Sequence, residues 1–109
     1  MDRGINYYVI EIGNKVIGCT ALEKANSEVC YFERLAVLKE YRNRGLGRSL
    51  VDHVLAEAKS MGYKRISVGI IAAHNELKQW YCKIGFIEEN TTQFEHLPFK
   101  VTFMSYILR

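Results

Sequence analysis

The stretch from Tyr41 to Ser49, YRNRGLGRS, constrains this chain more than any other segment, because an apolar β-rich run enters it and an amphipathic run leaves it. A strand that turns through glycines into a helix can cradle an anion. Gly45 and Gly47 let backbone amides come close to a ligand, and the helix N-terminus adds the positive end of its dipole. Two glycines alone could serve only to shape a strand-to-helix turn, but Arg42, Arg44 and Arg48 crowd the same segment, and that reading leaves them without a purpose. The pattern is not a P-loop, since no Lys-Ser/Thr pair follows the glycines. Nor is it a dinucleotide fingerprint, because Leu50 stands where a third glycine is required.

Around this loop the hydrophobic spacing predicts a mixed sheet. Residues Tyr7 to Ile12 alternate and lead through Gly13-Asn14 into a β-rich run from Val16 to Leu22, which is a hairpin signal. A third strand is expected from Val29 to Val37. Alternation there sets Glu33 and Leu35 opposite to Arg34 and Ala36 unless a bulge intervenes. Leu50, Val54, Leu55, Ala58 and Met61 recur at helical spacing, so a helix is expected from Leu46 to Met61, closed by Gly62. Arg65 to Ile71 reads as a strand, and a second helix runs from Asn75 to Gly85 with Leu77, Trp80, Tyr81 and Ile84 facing inward. Phe86 to Glu89 and Val101 to Leu108 complete the order β-β-β-α-β-α-β-β, an α/β sheet with helices packed on it.

With 109 residues the chain is expected to be one domain, 1–109, large enough to fold without staples. Fifteen Lys and Arg against twelve Asp and Glu give only +3, with cations and acids interspersed outside the loop, which argues against a nucleic-acid partner. Cys19, Cys30 and Cys82 are an odd number without CxxC spacing, which argues for a reducing compartment and against a metal site. No apolar run reaches about 18 residues and the first residues lack a signal pattern, so no membrane partner and a cytoplasmic location are expected.

Three segments together carry a family resemblance. Arg42 to Gly47 reads Arg-x-x-Gly-x-Gly; ERLAVLKEYR runs into it from Glu33 to Arg42; and HNELKQWYCKIGF follows from His74 to Phe86. In this order and spacing the chain resembles the GNAT-type N-acetyltransferases over about Val16 to Phe86. The resemblance implies a GNAT-like fold, acetyl-CoA as co-substrate, no metal, and direct attack by a small-molecule or peptide amine. It assigns the pyrophosphate to Arg42, Asn43, Arg44, Gly45, Leu46, Gly47 and Arg48, and the pantetheine arm to the strand edge at Leu35, Ala36 and Val37. The family's helix-start Asn falls on His74 by spacing, with Asn75 one step later, and either residue can reach the pantetheine.

Glu33 then stands where relatives place a catalytic base, and Tyr81 where a tyrosine meets the coenzyme sulfur as an acid. Each has a plainer alternative: Glu33 as the partner of a neighbouring cation, Tyr81 as packing. His53 reads as structural, and His96 falls in a loop between the last strands. Relative to the family, the usual opening strand and helices that roof the acceptor side are missing before Tyr7. The expectation is either a minimal member or a roof completed by a partner chain, with a homodimer favoured. The rival function is a non-catalytic acyl-CoA-binding or regulatory module.

Overall fold

The computed structural model describes residues 5–109. Strands β1 (Ile5–Ile12), β2 (Lys15–Lys24) and β3 (Val29–Val37) are followed by helix α1 (Leu46–Ser60), β4 (Arg65–Ile71), helix α2 (Asn75–Ile84), β5 (Ile87–Gln93) and β6 (Lys100–Ile107). They form one six-stranded sheet in the order β1-β2-β3-β4-β6-β5. All pairs are antiparallel except β3 with β4, the two strands that α1 connects. The first hairpin extends beyond its alternating core because backbone pairing recruits polar ends: Ile5 faces Glu23 and Ile12 faces Lys15.

One face of the sheet is buried under both helices. Leu22, Phe32, Ile66, Val68, Ile70 and Met104 pack in one cluster with Val51, Val54 and Ala58 of α1 and Tyr81 of α2. The period of the α1 residues is that of an amphipathic stripe. The helix stops at Gly62 (φ 91°), where the Tyr63 N–H donates to the Ala58 carbonyl at 3.1 Å. On the other face of the hairpin and β3, Tyr7, Val9 and Tyr31 remain exposed.

The feature that positions the site is a departure from regular pairing in β3. Cys19 pairs with Ala36 and Ala21 with Glu33, so two steps along β2 match three along β3, and Arg34 and Leu35 together oppose Thr20. This is a β-bulge, with Arg34 in the left-handed region at φ 57°. Such a conformation costs a non-glycine residue roughly 1–3 kcal/mol. Strict alternation would instead direct Arg34 to the helix face beside Phe32, where an unpaired guanidinium costs far more. The extra residue turns Arg34 to solvent and returns Leu35 to the core side, so that Glu33 and Leu35 face opposite sides of the sheet.

Past the start of β3 the sheet opens. Only Val29, Cys30 and Tyr31 pair with β4, against Arg65, Ile66 and Ser67, whereas β4 continues against β6 as far as Ile71. From Phe32 and Val68 onward the two strands diverge, leaving a cleft through the middle of the sheet.

Candidate active site

The loop after β3 ends in an uncapped helix. A 3₁₀ turn at Lys39–Tyr41 leads to Asn43 (φ 63°) and Gly45 (φ 77°), and Gly45 occupies the N-cap of α1 without a side-chain cap. Asn and Gly are the residues that tolerate this left-handed region. The Ser49 N–H is the one that bonds back to the Gly45 carbonyl, at 3.0 Å. The amides of Leu46, Gly47 and Arg48 therefore lack intrahelical partners, and no acidic side chain occupies the first turn. They sit beside a cleft of about 680 Å³ lined by Leu35, Ala36 and Val37 of β3, by Arg42, Asn43 and Gly45 to Arg48 of the loop, and by His74, Glu76, Leu77 and Trp80 of the α2 region. A Cβ built on Gly47 lies no closer than 3.8 Å to Trp80, so the fold itself does not demand glycine there.

The three arginines are not equivalent. The Arg42 Nε–H donates to the Val37 carbonyl at 2.9 Å, tying the loop to the end of β3, and Arg48 is paired with Asp52 at 3.0 Å. Arg44 lies over the ring of Tyr41, itself part of the cleft wall, 5.3 Å from its centroid, and Lys15 stands 5.8 Å from the same ring. Lys15 comes from the first hairpin turn, far away in sequence. At the start of α2, the His74 Nδ1 accepts the Leu77 N–H at 3.2 Å, so His74 is the helix cap as well as part of the cleft wall. Asn75 begins the helix and is not among the residues lining this cleft.

A second cleft, of about 560 Å³, fills the gap between β3 and β4 and shares Leu35 and Leu77 with the first. Glu33 and Tyr81 both line it, with Tyr31, Arg34, Ser67 to Ile71 and Phe103. The two candidate groups reach it from opposite faces: Tyr81 from the helix-covered side and Glu33 from the open side.

The Glu33 side chain is 31% exposed and lies 3.6 Å from Arg34. Its carboxyl is raised above the ordinary range, first by burial and then by the hydrogen bonding and negative charge of Glu23 on β2; Arg34 opposes the rise in part. The plainer expectation of a pairing with a neighbouring cation is thus also present, but that pairing is outweighed.

Tyr81 is buried, and burial pushes its phenol up to about 12. Its ring packs edge-on against Phe32, Trp80 and Phe86. Its hydroxyl makes no side-chain hydrogen bond within the fold, yet no buried side-chain oxygen among the described residues is left without a partner, so that oxygen opens onto the cleft.

Sequence reasoning did not single out Trp80, Leu77 or Glu76 as cleft residues, nor Glu23 as the neighbour of Glu33. The helical period marked Leu77 and Trp80 as inward, which was the available signal. For Glu23 there was none, because its diagonal place beside Glu33 depends on the β2–β3 register.

Comparison with known proteins follows the same outline. The family model of an acetyltransferase (GNAT) domain matches residues 3–88. An uncharacterised N-acetyltransferase of Escherichia coli is 28% identical over 86 residues, covering 76% of this chain and 52% of that protein. Another, from Chlorobaculum tepidum, is 33% identical over 63 residues, covering 58% and 41%. The chain thus spans about half the length of these curated relatives. The crystal structure of a GNAT family acetyltransferase from Elizabethkingia anophelis with acetyl-CoA bound superposes with a TM-score of 0.91 at 21% identity, covering 96% of this chain and 77% of that one.

Proposed function

From the premise that the chain belongs to the GNAT acetyltransferase family, we propose that it transfers the acetyl group of acetyl-CoA to an amine by direct attack. The observation that carries this reading is one groove with two ends: an uncapped helix start at Leu46 to Arg48, and a through-sheet cleft holding Glu33 and Tyr81. A module that only binds an acyl-CoA needs the first end and not the second.

The unpaired amides of Leu46, Gly47 and Arg48 suit the pyrophosphate, with Arg42 alongside. The pantetheine arm then lies along the outer edge of β3. The Leu38 N–H bonds to the Ile17 carbonyl on the β2 side, so Val37 turns the other way, as its carbonyl contact with Arg42 attests. Such an arm brings the thioester to the junction of the clefts and leaves the open face of the sheet to the amine.

Glu33 meets the amine as a carboxylate, attracting the ammonium and taking a proton directly or through water. With that first proton passed on to solvent, the free amine nitrogen attacks the carbonyl carbon, the C–N bond forms, the adduct's second N–H proton leaves to Glu33 directly or through water, and the C–S bond breaks with its electron pair on sulfur. Tyr81 supports the departing thiolate by hydrogen bonding. Burial raises the phenol, so it holds its proton more tightly than in water, which favours hydrogen-bond donation over full transfer. The role of Tyr81 is therefore that of a donor that keeps its proton.

Glu33 with Glu23 beside it favours a cationic acceptor, a small-molecule or peptide amine. The three cysteines are unpaired, which supports work in a reducing compartment such as the cytoplasm. The outer edge of β1 has no neighbouring strand among the described residues, which supports pairing with a second copy. The test is release of the CoA thiol with a panel of amines. Turnover with at least one amine is expected; CoA binding without turnover on any of them would favour the binding module.

A further inference from the structure

At the β3 bulge a buried side chain meets the main chain of the bulged strand. Thr20 is 1% exposed on the helix face of β2, directly opposite Arg34 and Leu35, and its hydroxyl donates to the Glu33 carbonyl at 2.8 Å. The Glu33 carbonyl stands at the edge of the bulge, and the buried hydroxyl gives it a side-chain partner there. The bond and the strain at Arg34 are of similar size, so losing the bond tilts the balance toward regular pairing or a shifted bulge. Regular pairing would reverse the facing of Arg34 and the residues after it, because a one-residue slip flips every side chain to the other side of the sheet, and a shifted bulge would reverse those between its old and new places.

We infer that Thr20 is a positioning residue for acetyl transfer: its hydroxyl holds the Glu33 main chain and fixes the bulge that keeps Arg34 out of the core and presents the outer edge of Leu35 to Val37 to the donor. This rests on the reading of Glu33 and of that strand edge given above. The residue touches neither substrate and acts through the main chain of β3. A serine supplies the same donor; valine has the same shape without it.

The experiment uses the whole chain with Thr20→Val, Thr20→Ser and, in parallel, Glu33→Gln. The thermal midpoint, kcat, KM for acetyl-CoA and calorimetric CoA affinity are measured on each. Thr20→Val, folded at the assay temperature, is expected to lose at least tenfold in kcat, while Thr20→Ser stays within about threefold of the parent. Should the valine variant not fold, Thr20→Ala makes the same deletion and is judged by the same criteria. A folded Thr20→Val or Thr20→Ala with parental kcat overturns the inference, as does a serine variant as impaired as the valine one.

An unaffected Glu33→Gln would instead sink the base reading. In that event, or if no amine is turned over, Thr20 is judged by CoA affinity. A loss of at least fivefold in Thr20→Val, restored in Thr20→Ser, supports control of the strand edge; parental affinity overturns it.

Discussion

Replacing Gly47 with valine separates a cradle made for a ligand from a turn made for the fold. Gly47 has no left-handed φ, lies in the first turn of α1, and a methyl group placed on its Cα meets nothing closer than the Trp80 ring at 3.8 Å. The fold therefore tolerates a side chain there. Exchanging glycine for valine in a helix even gains a few tenths of a kcal/mol, about 1–3 °C in a domain of this size. The pyrophosphate does not tolerate it, because a branched side chain keeps the anion from the Leu46 to Arg48 amides. One charge-assisted hydrogen bond contributes about 1.5–3 kcal/mol, so losing even one weakens acetyl-CoA roughly ten- to a hundredfold. Calorimetry with acetyl-CoA and a thermal melt on the same sample read both quantities. Lys64→Ala is the charge control, since Lys64 precedes β4 at the end of the sheet away from the cradle and pairs there with Glu28. Parental affinity in Gly47→Val would refute the cradle. A lower melting point with the weakened binding would mean that glycine served the fold after all.

Tyr81→Phe should lower kcat roughly tenfold or more while leaving acetyl-CoA affinity within about threefold, because the hydroxyl acts on charge that appears only as sulfur leaves; single-turnover rates equal to the parent's would return Tyr81 to packing. Glu33→Gln should depress kcat/KM and erase its acidic limb. It should not lower the melting point at pH 7–8: the Glu33 pKa is raised in the fold, so its charged form disfavours the folded state above that pKa, and glutamine removes the cost. Glu23→Gln withdraws one cause of the rise, so the acidic limb of the kcat/KM profile should move to lower pH; an unmoved limb would show that Glu33 is not the titrating base. Gly85→Ala should destabilise by roughly 1–3 kcal/mol, on the order of 10 °C, because φ is 126° and a Cβ there falls 2.8 Å from the Tyr106 ring; an unchanged melt would contradict this close approach of Gly85 to Tyr106 of β6.

Much of this protein was legible in the sequence because its signals are local. The period of Leu50, Val54 and Ala58, the stop at Gly62, and the alternation in β2 and β3 arise between residues a few positions apart, where backbone geometry alone sets which side chains share a face. The candidate cradle from Arg42 to Arg48, whose uncapped helix start the structure shows, belongs to the same class, since a strand end, two glycines and a helix start are contiguous. Tertiary structure decided what depends on register between distant segments. It set Glu23 beside Glu33 and Lys15 against Tyr41, fixed Arg42 and Arg48 to protein partners, placed Arg44 over the Tyr41 ring, and brought the Thr20 hydroxyl to the Glu33 carbonyl. Above all it decided that β3 parts from β4 after Tyr31. That divergence opens the cleft, and it is followed along β3 by one extra residue in the ladder with β2; both depend on partner strands that lie elsewhere in the chain, a quantity that no local pattern of side chains records.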